Sequence, residues 1–218
     1  MKKIICIIPA LEKNDYSTSG DLINWGGTSL IEWKLSQVKK VKKLDKIVVT
    51  TPSRKIKSVV KSYGVEVLLR KKNFSLSKLY EFVGKKYPNK KILWLNPTAP
   101  FLSEINISKF LEKFLKLPKR YDSAFTCIEL KEFLFDKKKS INFNSLEKAI
   151  SRKKVSKIFQ STNGAYIVDS NHMKKYGTLY GKKPYKYILP WLQSLEVKST
   201  SELENFKFFI SKYIKENI

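Results

Sequence analysis

Polar residues able to contact phosphates or sugars collect where short apolar runs stop. Lys13, Asn14 and Asp15 follow Ile4–Ala10, Arg70 follows Val65–Leu69, Asn96 and Thr98 follow Lys91–Leu95, and Asn163 precedes Gly164–Val168. Cationic side chains and backbone amides bind phosphate, and Gly20, Gly26 and Gly27 would let amides approach one. Neither GxGxxG nor GxxxxGK[ST] occurs, so no dinucleotide fingerprint or Walker loop is present. His172 is the only histidine, which excludes HExxH metal sites and Ser-His-Asp triads. Its place in Asn171–Met173 reads as a solvent-facing helix start. Cys6 and Cys127 lack zinc-site spacing and lie in apolar runs, where a thiol behaves as a small hydrophobe. Any metal is then expected to be Mg²⁺, held by carboxylates and substrate phosphates.

The elements that must position these residues alternate in type. Lys3–Ile8 is a continuous β-branched run of the kind found in fully buried strands. Ser29 caps a helix to about Lys40, with Leu30, Trp33, Leu35 and Val38 on its apolar face. Lys46–Thr50 is a strand, Ser53–Tyr63 a helix ended by Gly64, and Val65–Leu69 a strand. A helix over Ser77–Tyr87, the strand Lys91–Leu95, a rigid Pro97–Pro100 loop, a helix from Ser103 to Leu115 and the strand Ser123–Ile128 continue the pattern. Alternating strands and helices predict an α/β fold, Rossmann-like, with a mostly parallel (mixed) central sheet flanked by helices. The rhythm breaks over 129–160, a Lys-rich stretch read as an inserted arm within a single domain of 1–218. A helix at Ser170–Tyr176, strands at Tyr185–Leu189 and Leu195–Val197, and a last helix opened by Ser199 and Glu202 complete the reading. Ligands of such sheets gather outside the carboxyl ends of the strands. There the stretch Pro9–Thr28 stands out, since aperiodic loops of about twenty residues in compact domains are usually functional or disordered.

Composition narrows the function classes. Of 218 residues, 42% are hydrophobic, which supports a real core. No apolar run approaches the roughly twenty residues of a membrane span, and no export signal is recognised, so a cytoplasmic protein is expected. The net charge of +25 invites a nucleic-acid reading, but only four of the 44 basic residues are Arg and the lysines are spread along the chain. Arg is the residue of bidentate base and phosphate contacts, which argues against nucleic acid as the dedicated partner.

Read together, the segments resemble the cytidylyltransferases that activate acidic sugars, such as CMP-N-acetylneuraminate and CMP-keto-deoxy-octulosonate synthetases. Ile7–Ala10 resembles the strand and "PA" that open the family's nucleotide loop, and Gly27–Ile31 its "GxPLI" helix entry. Asp45–Thr51 (DKIVVTT) and Tyr63–Arg70 (YGVEVLLR) are similar to its second and third strands. Leu95–Leu102 (LNPTAPFL) is close to "LQPTSPLR", Thr162–Ile167 (TNGAYI) to "PNGAIYI", and Ser194–Leu203 (SLEVKSTSEL) to "SIDIDTELD". The resemblance implies transfer of CMP from CTP to an acidic keto sugar with pyrophosphate release, Mg²⁺ as the metal, and a homodimer whose arm reaches into the neighbouring subunit. It implies nucleotide contacts from Ala10, Leu11, Lys13, Asn14, Asp15, Arg70 and Asn96. It implies substrate contacts from Thr98, Asn163 and Gly164, and a metal ligand at Glu196.

The residue types depart from the family at the charged positions. Where the loop usually reads "ARxxSKGxxxKN", the Arg position holds Leu11, the Ser position Asn14, the first Lys Asp15, the second Lys Gly20 and the final Asn Asp21. Leu102 stands for the Arg of "LQPTSPLR", and Lys198 occupies the second metal-ligand position. Asp15 and Asp21 read as turn-forming loop residues, or as carboxylates that rebuild a Mg²⁺ site. Arg70 reads either as a site cation or as a surface one, and Asn163–Gly164 as a site pair or a strand start. Three functions therefore stand at this point, in this order: an active cytidylyltransferase, a catalytically impaired relative that binds nucleotide, sugar or a partner enzyme, and a nucleic-acid-binding protein.

Overall fold

A computed structural model describes residues 4–148 and 150–217. The chain runs through β1 (Ile4–Pro9), β2 (Asn24–Trp25), β3 (Thr28–Ser29), α1 (Leu30–Lys39), β4 (Lys46–Thr51), α2 (Arg54–Ser62) and β5 (Glu66–Leu69). It continues through α3 (Leu76–Lys86), β6 (Lys91–Leu95), α4 (Glu104–Leu115), β7 (Ser123–Leu130), β8 (Ile158–Asp169), α5 (Ser170–Tyr176), β9 (Pro184–Ile188) and α6 (Thr200–Asn217). The described residues build a seven-stranded sheet in the order β5-β4-β1-β6-β8-β7-β9. The run β5-β4-β1-β6 is parallel, whereas β8 runs antiparallel to both β6 and β7.

Side-chain alternation explains why the central strands read as unbroken apolar runs. Ile4, Cys6 and Ile8 of β1 face a core shared with α1, α2 and α4, while Ile5 and Ile7 face one shared with α3 and α5. Leu93 and Leu95 of β6 join the first core, and Ile92 and Trp94 the second. Each such side chain contributes about 1.5–3 kcal/mol on full burial. Helix starts follow the capping rule. The Ser29 hydroxyl accepts from Glu32 N–H while the Glu32 carboxylate accepts from Ser29 N–H, and Ser53, Ser75 and Ser103 cap α2, α3 and α4. Gly84 lets α3 and α5 approach closely, because a Cβ there would lie 2.5 Å from backbone atoms of Lys174 and Ser170.

A third apolar cluster packs α6 through Leu203, Phe206 and Ile210 against Trp25, Leu30, Trp33, Phe101 and Val197. It clamps the segment before α6 onto the loop after β6.

The structure departs from the sequence reading in several places. Leu195–Val197 is not a strand: a 3-10 turn over Leu192–Ser194 leads into an extended segment. Its backbone bonds the loop after β6 through Val197 N–H to Thr98 O at 2.7 Å, and among the described residues it joins no strand of the sheet. The strand expected at Gly164–Val168 is longer, starting at Ile158, and β7 extends to Leu130, so the arm proper shrinks to 131–157. His172 does not simply face solvent. It is half-buried, its ring stacks on Tyr176 at 4.7 Å, and Nε2 lies 2.8 Å from Tyr180 O.

Candidate functional site

The sheet opens a cleft of about 400 Å³ at the carboxyl ends of β1, β5 and β6. From the first loop it takes Leu11, Asn14, Asp15, Tyr16 and Asp21; from the end of β5, Arg70; from the end of β6, Asn96, Pro97 and Thr98. Asn163 of β8 and Glu196, Val197 and Lys198 close one side, and Leu76, Leu79, Tyr80 and Trp94 form an apolar wall. Thus Leu11, Asn14, Asp15, Arg70, Asn96, Thr98, Asn163, Glu196 and Lys198 all line this one cleft. Three do not line the cleft. Ala10 is fully buried with its N–H bonded to Thr50 O at 2.9 Å, and Lys13 is exposed. Gly164 is buried under Leu102, a structural rather than a contacting position.

The first loop folds back on itself around Asp21. This side chain is 3% exposed, and its carboxylate accepts from Leu11 N–H at 2.7 Å and from the Tyr16 hydroxyl. Burial raises its pKa to about 6, against the two hydrogen bonds, which favour the ionised form. The Tyr16 phenol is pushed well above its ordinary range, first by burial and then by Asp21. Gly20 makes this return possible. It has φ +52°, and a Cβ there would lie 2.2 Å from Leu11 O. No side chain fits at Gly20 in this conformation, so the absence of a Lys there follows from the loop's own packing. Asp21, at the centre of the 3-10 turn Gly20–Leu22, is therefore an internal anchor whose carboxylate is already engaged. Gly26 and Gly27 form the turn of the β2–β3 hairpin, with Gly27 N–H bonded to Asn24 Oδ1, and do not line the cleft.

The loop after β6 is held from behind by α1. Lys34 is fully buried and donates to Ala99 O at 2.8 Å and Leu102 O at 3.3 Å. Burial lowers its pKa to about 7. Trp33 Nε1 and Gln37 Nε2 both donate to Pro100 O, at 2.8 and 3.0 Å. The sequence reading assigned α1 only an apolar face and missed this polar clamp. Its one signal is the spacing: Trp33, Lys34 and Gln37 at i, i+1 and i+4 lie on one side of the helix.

Asn96 and Asn163 serve each other before any ligand. Asn96 Oδ1 accepts from Trp94 Nε1 at 3.0 Å, and its Nδ2 donates to Asn163 O at 2.6 Å and Oδ1 at 3.0 Å. Asn163 holds φ +53°, a conformation that Asn tolerates better than most residues. From there its Nδ2 donates to Glu196 Oε1 at 2.6 Å, and Thr98 Oγ1 donates to the same oxygen at 3.3 Å. Glu196 Oε2 lies 3.5 Å from Lys198 Nζ. Arg70 differs, since its buried Nε–H has no hydrogen-bond partner and burial lowers its pKa. A partly desolvated cation on a cleft wall is suited to an anionic ligand.

A divalent cation suits this donor set poorly. Of the three lining carboxylates, Asp21 is spent inside its loop and Glu196 has one oxygen saturated and the other facing an ammonium group, which leaves Asp15 as the one exposed carboxylate on the cleft wall. Among the described residues no group of three or more His, Cys, Asp and Glu side chains could hold a metal. The expected Mg²⁺ ligand pair is absent because Lys198 replaces its second member.

Comparison with known proteins places this architecture. A sequence model described as cytidylyltransferase matches residues 21–203, starting beyond the part of the first loop where residue types depart most. The chain is 21% identical over 235 residues to post-translational flagellin modification protein B of Campylobacter coli, covering 97% of each. Its fold is similar to that of CMP:2-keto-3-deoxy-manno-octonic acid synthetase solved in complex with CTP. That match has a TM-score of 0.72 at 12% identity, covering 96% of this chain and 99% of the other. It is also similar to 4-diphosphocytidyl-2C-methyl-D-erythritol synthase of Anaerococcus prevotii, with a TM-score of 0.66 at 16% identity, covering 98% and 99%.

Proposed function

Because the chain belongs to the cytidylyltransferase family, we propose that its cleft binds CTP and an acidic keto sugar and transfers CMP to the sugar. The sugar's anomeric hydroxyl oxygen attacks the α-phosphorus and forms the new P–O bond. The bond from the α-phosphorus to the bridging oxygen breaks, pyrophosphate leaves with the electron pair, and the hydroxyl proton passes to solvent. The observation that carries this reading is Arg70: a half-buried cation on the wall of the strand-end cleft of a cytidylyltransferase fold.

Thermal stabilisation tests nucleotide choice. At about a hundred times its Kd, a ligand adds roughly 2.7 kcal/mol, a rise of roughly 5–10 °C in Tm for a chain of this size. CTP is expected to give this shift while ATP, GTP and UTP give far less at moderate salt. Equal shifts for all four would mark non-selective attraction to the +25 charge and sink the CTP reading.

A second reading, a relative that binds nucleotide without transferring it, rests on a specific observation. The first loop offers Asp15 to the ligand and seals the Leu11 amide with Asp21, where phosphate-neutralising cations would speed turnover. We also propose that the arm mediates self-association, because Phe133, Phe135 and Ile141 are exposed on it and Phe143 meets both phenylalanines edge to face. Sedimentation analysis should show a dimer that Phe135→Lys dissociates.

A further inference from the structure

We propose that Lys198, rather than a divalent cation held by the chain, supplies the positive charge that meets the ligand's phosphates at the Glu196 end of the cleft. The inference rests on the CTP reading above and adds the identity of the counter-charge. Glu196 and Lys198 divide their roles by burial. The carboxylate side chain is 9% exposed and held by Asn163 and Thr98, whereas the Lys198 side chain is 54% exposed and lines the cleft. Their backbone is fixed from both sides. Val197 between them is 1% exposed in the α6 cluster, with its N–H on Thr98 O, and Lys198 N–H donates to Glu202 Oε2 at 2.7 Å. Nζ is thus tethered 3.5 Å from Glu196 Oε2, where a metal bound to that oxygen would meet like charge. Lysine acts as a compact point charge toward phosphate. Arg70 follows β5, at the far end of the parallel run from the β6 loop that Lys198 adjoins, so two cations flank the space a polyphosphate would occupy.

Calorimetric titration of CTP, in chelator and then with Mg²⁺, tests this on the full chain. The unmodified protein is expected to bind CTP in chelator, with little gain on adding Mg²⁺. Lys198→Ala should weaken binding roughly 10- to 100-fold under both conditions, the loss expected for a charged hydrogen bond. Lys198→Arg should retain most of the affinity. Lys198→Asp should lose binding in chelator and recover it with Mg²⁺, since two carboxylates would then face the ion. Half-exposed Lys198 packs in no core, so the variants should stay folded, with the unliganded Tm reading the loss of the Glu196 pair; even were one to misfold, the chelator dependence of the unmodified protein still decides. CTP binding that requires Mg²⁺ and ignores Lys198→Ala would overturn the assignment while leaving the CTP reading intact. Absence of CTP binding under either condition would overturn both.

Discussion

Replacing Asp21 with Asn removes one titrating group from the heart of the first loop while keeping its shape. In the folded protein burial raises the Asp21 pKa to about 6 from an ordinary value of 3.8. The native state therefore binds the proton more tightly than the unfolded chain. Its contribution to stability is fully present below about pH 4 and is lost as pH rises through about 6. A difference of about two pKa units corresponds to roughly 3 kcal/mol, and no exposure discount applies to a side chain that is 3% exposed. Asn cannot ionise, and its Oδ1 still accepts from Leu11 N–H or the Tyr16 hydroxyl. Urea unfolding of both proteins from pH 4 to pH 7 isolates the effect, because other carboxylates titrate equally in each. The unmodified protein should lose roughly 2–3 kcal/mol more than Asp21→Asn across this window. Parallel curves would refute the claim that burial outweighs the two hydrogen bonds on this carboxylate.

Gly20→Ala should destabilise by at least about 1–3 kcal/mol, since φ +52° and the 2.2 Å approach of Leu11 O both oppose a Cβ; chemical denaturation checks this, and an unchanged midpoint would contradict the loop geometry. Lys34→Met keeps the volume but leaves the Ala99 and Leu102 carbonyls without their donor, at a cost of about 1–3 kcal/mol, and hydrogen exchange of residues 97–102 should quicken. Because burial lowers the Lys34 pKa to about 7 from 10.5, the unmodified protein should also gain stability relative to Lys34→Met as pH rises from about 7 to about 10.

The strand-helix frame was legible because β1, β4 and β6 are buried on both faces and so read as unbroken apolar runs, with serines marking the helix starts. What escaped the sequence has identifiable causes. Asp21 closes its loop through bonds to Leu11 and Tyr16, ten and five residues away, an arrangement with no periodic signature. Lys34 reads as a polar helix position, since a buried lysine is rare and betrays itself only once the carbonyls of Ala99 and Leu102 are in place. Leu195–Val197 has a strand-like composition but, among the described residues, joins no strand of the sheet. The cleft was legible through resemblance at Arg70, Asn96, Thr98, Asn163, Glu196 and Lys198. Resemblance did not separate residues that face the cleft from those that hold it up, which is why Ala10 and Gly164 turned out to be structural. Asn96 turned out to spend its amide on Asn163.

The most direct test of CMP transfer is to incubate the protein with CTP and a panel of acidic keto sugars, measuring pyrophosphate and the CMP-sugar by mass spectrometry. Cytidylyl transfer requires equimolar pyrophosphate and one CMP-sugar, formed only when CTP and the matching sugar are both present. CTP-selective binding with neither product for any sugar in the panel would contradict it and leave the non-catalytic relative as the function of this cleft.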